Sequence, residues 1–200
     1  MNISIILAHP NPDSFNHAIA RTVSEALTQK GHHPVMHDLY AEGFDPLLRK
    51  EELIPGSPIP DDVTLHCREI TQADGIIVVH PNWWGQPAAI LKGWIDRVLR
   101  QNVAYRFETN DQGEGVPVGL LRARAAIVFN TANTPSEREL AVFGDPLEAL
   151  WKRCIFDLCG VKTVHRETFS VVITSTAEQR ARWLRRAEEI ALKAFPDYGT

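Results

Sequence analysis

The segment 80–87 carries two adjacent tryptophans, Trp83 and Trp84, between prolines that stiffen the chain. Each indole presents ~200 Å² of mostly apolar surface, which is unfavourable to leave in water. Asn82 adds an amide donor and acceptor, and Gly85 permits close approach of a ligand to the backbone. These residue types suit a flat aromatic ligand with a polar edge, of which an oxidised flavin ring is one example. A contact between subunits would also bury the indoles, so both interpretations stand at this point.

A second polar segment, residues 9–16, follows the first apolar run of the chain and leads into a helical pattern. Ser14 or Asn16 can cap that helix, and the free backbone N–H groups at its N-terminus attract an anion such as phosphate. His9 could hydrogen-bond the same anion. The segment contains neither Gly-x-Gly-x-x-Gly nor Gly-Lys-Ser/Thr, which argues against a standard dinucleotide-binding or ATP-hydrolysing loop. A plain capped helix beside a surface histidine is the other interpretation.

The third polar segment, residues 130–136, is short and follows another apolar run. Its hydroxyl and amide groups can hydrogen-bond the polar edge of a ligand, although an ordinary turn has a similar composition. All three segments follow runs that predict strands. We therefore expect them at the same end of one sheet, where ligands of open α/β sheets bind.

Short apolar runs alternate with longer amphipathic stretches along the whole chain. The runs predict strands at residues 3–8, 34–37, 76–79, 125–129 and 161–172, the last interrupted near Arg166. The stretches predict helices at 18–30, 61–73, 88–101 with Pro87 at the first helical position, 145–159 and 177–195. Residues 102–121 are expected to form a loop. Strict alternation predicts right-handed crossovers and a five-stranded parallel sheet with helices on both faces, in one domain over residues 1–200.

The composition disfavours several classes of protein. A formal net charge of −4 argues against a broad nucleic-acid surface. Cys67, Cys154 and Cys159 have the spacing of neither a disulfide framework nor a zinc site, so we expect no metal. The apolar runs are far shorter than the ~20 residues that a membrane helix needs, and the amino terminus is typical of a strand rather than a signal peptide. We therefore expect a cytoplasmic protein without nucleic-acid partners or membrane insertion.

With these segments in view, the chain resembles the NAD(P)H:quinone oxidoreductases of the DT-diaphorase type, which are flavoproteins with a flavodoxin-like fold. The most specific match is Pro81-x-x-Trp84-x-x-Pro87-Ala88, continued at residues 90–98 as Ile-Leu-Lys-Gly-Trp-Ile-Asp-Arg-Val. Shorter matches are Ser14-Phe15-Asn16, Gly144-Asp145 and Cys159-Gly160. The resemblance covers nearly the whole chain and implies a flavodoxin-like three-layer sandwich as a single flavin-binding domain.

The resemblance also implies roles for particular residues. Those expected to hold the diphosphate and ribityl chain of a flavin are His9, Ser14, Phe15 and Asn16. Those expected along the isoalloxazine ring are Pro81, Asn82, Trp83, Trp84 and Gly85. Those expected to bond its pyrimidine side are Thr131, Ala132, Asn133 and Thr134. Tyr105 resembles the tyrosine of the family that overhangs the substrate face, and it is the candidate catalytic residue that bonds the acceptor oxygen.

The activity that the resemblance implies is two-electron reduction of quinones or similar aromatic acceptors by NAD(P)H. It implies FAD as cofactor, with FMN as the alternative, and a homodimer whose sites lie at the subunit interface. The chain departs from the pattern at Phe143, where the archetype has a histidine proposed to relay charge, and in the third segment, where the archetype has Thr-Thr-Gly-Gly. A flavodoxin-type electron carrier, a regulatory flavoprotein partner of a membrane transport system and a non-redox nucleotide-binding protein are the alternatives.

Overall fold

The regular elements follow the apolar pattern of the sequence. The computed structural model describes residues 1–54 and 56–196. Its strands and helices, in chain order, are β1 (Asn2–Leu7), α1 (Phe15–Gln29), β2 (His33–Asp38), α2 (Asp61–Gln72), β3 (Gly75–Pro81), α3 (Ala89–Val98), β4 (Tyr105–Thr109), β5 (Gly115–Gly119), β6 (Ala125–Ala132), α4 (Ser136–Arg138), α5 (Pro146–Ala149), β7 (Val164–Ser170) and α6 (Ala177–Ala194). A 3₁₀ turn spans Lys50–Leu53, and π-helical segments, Glu139–Phe143 and Leu150–Asp157, continue α4 and α5.

Five parallel strands form the main sheet in the order β2-β1-β3-β6-β7. This confirms the predicted five-stranded parallel sheet. The strand order reverses between β1 and β3, and sheets of this kind bind ligands outside the carboxyl ends of the strands at such a reversal. The segments that follow β1, β3 and β6 therefore begin at the edge of the sheet where a ligand is expected.

The sheet is covered on both faces, as the uninterrupted apolar run of β3 predicts. Ile76 and Val78 pack into a core cluster with residues of α2, α3, α5 and the segment after α5. Ile77 and Val79 pack into a second cluster with residues of α1 and α6. Side chains of a strand point alternately to its two faces, so one run of four apolar residues supplies both cores. The result is the predicted three-layer sandwich.

Three local predictions were wrong. Residues 102–121 are not all loop, because β4 and β5 form an antiparallel hairpin there. The strands are short and mostly exposed, so they lack the apolar alternation that identifies a strand. Arg166 does not interrupt the last strand but lies inside β7, where ion pairs and hydrogen bonds compensate its burial. Pro87 precedes the first residue of α3 by two positions.

The helices also bear on membrane association. Among residues 1–54 and 56–196, no helix is both long enough and apolar enough to cross a bilayer.

Candidate functional site

Hydrogen bonds and a ring contact bring the three polar segments together at one edge of the sheet. The backbone N–H of Asn82 donates to the carbonyl oxygen of Thr131 over 2.7 Å. The side-chain Nδ2 of Asn16 donates to the hydroxyl of Thr131 over 2.9 Å. The rings of His9 and Trp83 lie 5.9 Å apart. The prediction that these segments share one end of the sheet is confirmed by these contacts.

The first segment forms the capped start of α1. Ser14 is the N-cap, and its hydroxyl accepts a hydrogen bond from the backbone N–H of His17. Phe15 is half-buried, and its ring packs edge-on against Phe169 at 6.1 Å. His9 is partly buried, and this burial lowers its pKa, while a hydrogen bond from its ring to the backbone carbonyl of Asn11 partly opposes that shift. Phe15 thus packs on the core, while Ser14 and His9 remain near the loop surface.

The second segment forms a tight turn closed by two backbone hydrogen bonds between Trp83 and Gln86. Both central residues have positive φ, 58° at Trp84 and 68° at Gly85. That conformation is uncommon for a bulky residue, and it persists only where its surroundings enforce it. At Gly85 a Cβ would lie 2.7 Å from the Pro146 ring, so only glycine fits there. The turn leaves Trp84 100% exposed and Trp83 42% exposed.

The third segment begins inside the sheet rather than after it. β6 continues through Ala132, so Thr131 and Ala132 are buried strand residues and not loop residues. Asn133 is exposed, and its Oδ1 accepts a hydrogen bond from the backbone of Ile173 over 3.0 Å. Thr134 follows at the rim of a cavity. The donors of this segment are therefore divided between the sheet and the cavity.

A cavity of about 240 Å³ opens between the second and third segments. Its lining residues are Asn82, Ala132, Thr134, Ser136, Glu139, Asp145, Arg166, Glu167 and Thr168. Asn82 donates from Nδ2 to Glu139, which leaves its Oδ1 buried without a hydrogen-bond partner among the described residues. Asp145 Oδ1 is buried and unpartnered in the same sense. A ligand with an N–H or O–H group at this position would satisfy acceptors that the described part of the chain leaves unpaired.

Sequence reasoning missed the charged floor of this cavity. The guanidinium of Arg166 is ion-paired with Asp145 and with Glu148, and it donates to the side chain of Asn130 over 2.9 Å. Burial disfavours the charge on Glu148, but hydrogen bonds from Lys152 and Arg166 outweigh it and lower its pKa. The Gly144-Asp145 match marked one end of this network. The charge of Arg166 within an apolar strand region was the other available signal, and it suggested an interruption instead.

Tyr105 does not line this cavity. It is the first residue of β4, and its ring contacts Phe107 at 5.7 Å. It borders a separate, larger cavity of about 680 Å³ between residues 48–54 and 56–59 and the end of α3. Within one chain, Tyr105 is therefore not gathered with the other predicted site residues.

A cluster of titratable groups lies elsewhere, where β2 and the loop after it meet α2. His37, Glu42 and His66 place a possible metal-ligating atom each within 4.8 Å of one another. The Nδ1 atom of His66 faces the indole N–H of Trp94 at 3.1 Å, and an indole can only donate. The His66 Nδ1 must then be unprotonated, so its Nε2 carries the hydrogen and donates to Glu42. Since a neutral histidine with that tautomer cannot ligate a metal through Nε2, the cluster is better described as a hydrogen-bond network that joins β2 and the loop after it to α2.

Comparison with known proteins relates these features to a family. The model of the family described as a flavodoxin-like fold matches residues 1–191. An "uncharacterized NAD(P)H oxidoreductase" of Haemophilus influenzae is 37% identical over 174 residues, which cover 84% of this chain and 83% of that protein. NAD(P)H dehydrogenase (quinone) 1 of Rattus norvegicus is 28% identical over 93% of this chain and 76% of its own.

A solved structure agrees with these sequence matches. The NAD(P)H:quinone oxidoreductase from Methanothermobacter marburgensis superimposes with a TM-score of 0.79 at 28% identity, covering 96% of this chain and 95% of the other. The sequence matches thus cover 84% and 93% of this chain, and the backbone match covers 96% of it. With its reversal of strand order, its three converging segments and this match, the protein belongs to the flavodoxin-like fold family.

Proposed function

We propose that the protein is an NAD(P)H-dependent flavin oxidoreductase that reduces quinones or similar aromatic acceptors by two electrons. The observation that carries the proposal is the convergence of three strand-end segments at one edge of the sheet, where the second and third border a cavity with two unpartnered buried acceptors, Asn82 Oδ1 and Asp145 Oδ1. The similarity to proteins named as NAD(P)H oxidoreductases and quinone reductases supports it. We propose a single domain over residues 1–200 and a cytoplasmic location, as the sequence predicts.

The residues present fit a flavin. The isoalloxazine ring carries an N–H on its pyrimidine side, which is a donor of the kind that Asn82 Oδ1 or Asp145 Oδ1 needs. Trp83 and Trp84 directly follow the cavity-lining Asn82 in the chain, and their exposed indoles offer aromatic surface to a flat ring. The capped start of α1 offers N–H groups to a phosphate, with Ser14 and His9 next to it. We propose FAD as the cofactor and FMN as the alternative.

When bound, the flavin would accept a hydride from NAD(P)H and deliver it to the acceptor. The chain's own residues bind and orient. Asn16 and Thr131 tie the first segment to the third, which fixes the distance between a phosphate site and a ring site. The turn at Trp84 and Gly85 sets the backbone conformation from which the two indoles project. Asp145 and Glu139 keep the cavity acidic, while Arg166 balances part of that charge.

We propose that the protein works as a homodimer. Several large apolar side chains close in sequence to cavity-lining residues are exposed in the single chain, namely Trp84, Leu140, Val142 and Phe143. Exposed apolar surface of this kind is typical of protein–protein contacts. Tyr105 lies outside the cavity of its own chain, so its proposed contact with the acceptor requires a second subunit. Sedimentation equilibrium measures the mass, and a monomer at assay concentrations would contradict this part of the proposal.

Identification of the bound flavin tests the central proposal. The purified protein should be yellow, and heat denaturation should release FAD or FMN that mass spectrometry identifies. NADH or NADPH should bleach the visible band without oxygen, and a soluble benzoquinone should then restore it. A colourless protein that cannot be reconstituted with either flavin would refute the proposal. Bleaching by a protein partner but not by NAD(P)H would support the electron carrier instead.

A further inference from the structure

A chain of buried hydrogen bonds runs beneath the second segment and reaches the cavity only through Arg166. His80, at the end of β3, and Asn130, in β6, are both 0% exposed. His80 Nε2 lies 2.9 Å from the indole Nε1 of Trp151 and 2.9 Å from Asn130 Nδ2. Its Nδ1 lies 2.8 Å from the carbonyl oxygen of Pro81. Residues of β3, of β6 and of the segment after α5 thus meet at one imidazole, and β7 is linked to it indirectly because Arg166 donates to Asn130.

The partners leave His80 one protonation state. A carbonyl oxygen only accepts, so Nδ1 must carry a hydrogen and donate it to Pro81. The indole of Trp151 only donates, so Nε2 must be the unprotonated nitrogen. Burial opposes the charged form as well and lowers the pKa of His80 to about 4. Arg166 donates to Asn130 Oδ1, which turns the amide so that its NH₂ group faces His80.

The imidazole closes one half of a clamp on the peptide bond between Pro81 and Asn82. His80 holds the carbonyl of that peptide, and Thr131 accepts from its N–H over 2.7 Å. With both polar atoms fixed, the peptide plane cannot rotate. Asn82, with its unpartnered Oδ1, and then Trp83 follow directly, so the clamp sets the direction in which both side chains leave the sheet.

We propose that His80 is a positioning residue for the flavin site: it fixes the Pro81–Asn82 peptide, and through it the aromatic turn, without contacting the ligand. This inference rests on the proposed function for its ligand. A site held loosely by its supporting residues binds less well even when every contact residue is present. Removal of supporting partners around metal ligands lowers affinity by about 10- to 100-fold, and we expect a loss in that range here.

The test compares flavin binding and local opening in matched variants. His80→Leu removes the clamp, whereas Trp151→Phe removes one donor to the same ring and leaves the bond to Pro81 in place. Titration of the apoproteins with FMN and with FAD, followed by flavin fluorescence, should show the Kd rising about tenfold or more for His80→Leu and less than about threefold for Trp151→Phe. Amide hydrogen exchange of Asn82 in the apoprotein should accelerate in His80→Leu alone. His80→Gln, which keeps a donor and an acceptor, should recover part of the affinity.

Each outcome is decisive. Equal Kd values for His80→Leu and the wild-type protein, or equal losses for His80→Leu and Trp151→Phe, would overturn the positioning role. If His80→Leu does not fold, His80→Asn takes its place, because its side chain is too short to span Pro81 and Trp151. A wild-type protein that binds no flavin would refute the proposed function. The exchange of Asn82 would still decide whether His80 clamps the peptide.

Discussion

The ion pair between Arg97 and Glu52 lies far inside the chain, and its removal should have a large effect on stability. Arg97 on α3 is 1% exposed, and its guanidinium donates to the two carboxylate oxygens of Glu52 over 2.9 and 3.2 Å. The same guanidinium donates to the carbonyl of Asp45 over 2.5 Å. The pair therefore joins α3 to the long segment between β2 and α2. We expect Arg97→Met to lower the free energy of unfolding by about 3–5 kcal/mol, as removing one partner of a buried pair does.

The magnitude follows from what the substitution leaves behind. Methionine preserves much of the packing volume, so the loss is mainly electrostatic. The carboxylate of Glu52 keeps a backbone N–H at 3.3 Å and the guanidinium of Arg100 at 3.8 Å, neither of which replaces a bidentate arginine. The carbonyl of Asp45 loses a donor as well. Since domains of this kind are stable by about 5–15 kcal/mol, the variant should still fold but unfold at clearly lower urea concentration.

An exposed pair on the same helix supplies the control. Lys92 and Asp96 lie one turn apart on α3, and their side chains are 55% and 41% exposed. Lys92→Met should change the free energy of unfolding by less than about 1 kcal/mol, because solvent screens such pairs. The double variant Arg97→Met/Glu52→Leu should recover much of the loss, since it also removes the buried carboxylate that Arg97→Met leaves uncompensated. Urea unfolding followed by circular dichroism measures all three, and equal effects of Arg97→Met and Lys92→Met would refute the argument from burial.

Three further expectations concern single groups. Trp83→Ala should weaken flavin binding about 2- to 10-fold, which corresponds to an aromatic contact of ~0.5–1.5 kcal/mol. Trp183→Ala should act mainly on stability: it should lower the melting temperature and have a smaller effect on flavin affinity than Trp83→Ala has. Cys154 is exposed, whereas Cys67 and Cys159 are buried, and burial raises the pKa of these two thiols to about 11. A thiol titration of the native protein should therefore report about one reactive group. A second thiol that reacts as fast as the first would contradict this prediction. Burial disfavours charge on His37, but hydrogen bonds and charges from two glutamates outweigh it and raise its pKa above 6.5. The charged form therefore stabilises the fold below about pH 6.5, and this contribution is lost as the pH rises through the folded-state pKa. In His37→Gln the unfolding free energy should fall less steeply as the pH rises above about 6.5. An unchanged pH profile would contradict a stabilising role for the hydrogen bonds of His37.

The sequence predicts the scaffold far better than the floor of the site. The run at 76–79 identifies a strand buried on both faces, and the order of runs then fixes the edge where segments 9–16, 80–87 and 130–136 meet. These are local or topological properties. Arg166 was misread because its burial depends on Asp145, which lies 21 positions away along the chain. No periodicity reveals a charge that is compensated by a partner on another element.

The hairpin was missed for a different reason: β4 and β5 form although their sequences carry no apolar pattern that predicts a strand. Their strands are held by pairing with each other, from Tyr105 opposite Gly119 to Thr109 opposite Gly115, and by a turn in which Asn110 Oδ1 accepts two backbone N–H groups. Turn residues at 110–113 were the available signal. Because strands without a buried face show little alternation, such a hairpin is recognised from its turn rather than from its strands.

The buried side chains of Arg97 and Arg166 both form ion pairs, but the hydrogen bonds around them differ. Around Arg97 both carboxylate oxygens of Glu52 accept hydrogen bonds from the guanidinium, and the atom beside this pair without a hydrogen-bond partner in the described part of the chain, Arg100 Nη1, is a donor that borders the other cavity. Around Arg166 two buried acceptors have no hydrogen-bond partner among the described residues, Asp145 Oδ1 and Asn82 Oδ1, and both residues line the same cavity. An unsatisfied buried acceptor is unfavourable by about 1–3 kcal/mol, so two of them beside one cavity are a deficit that a bound donor would remove. Charge alone does not distinguish the two arginines, but the two unpaired acceptors near Arg166 do, and they support the proposal that a ligand with a hydrogen-bond donor binds beside that network.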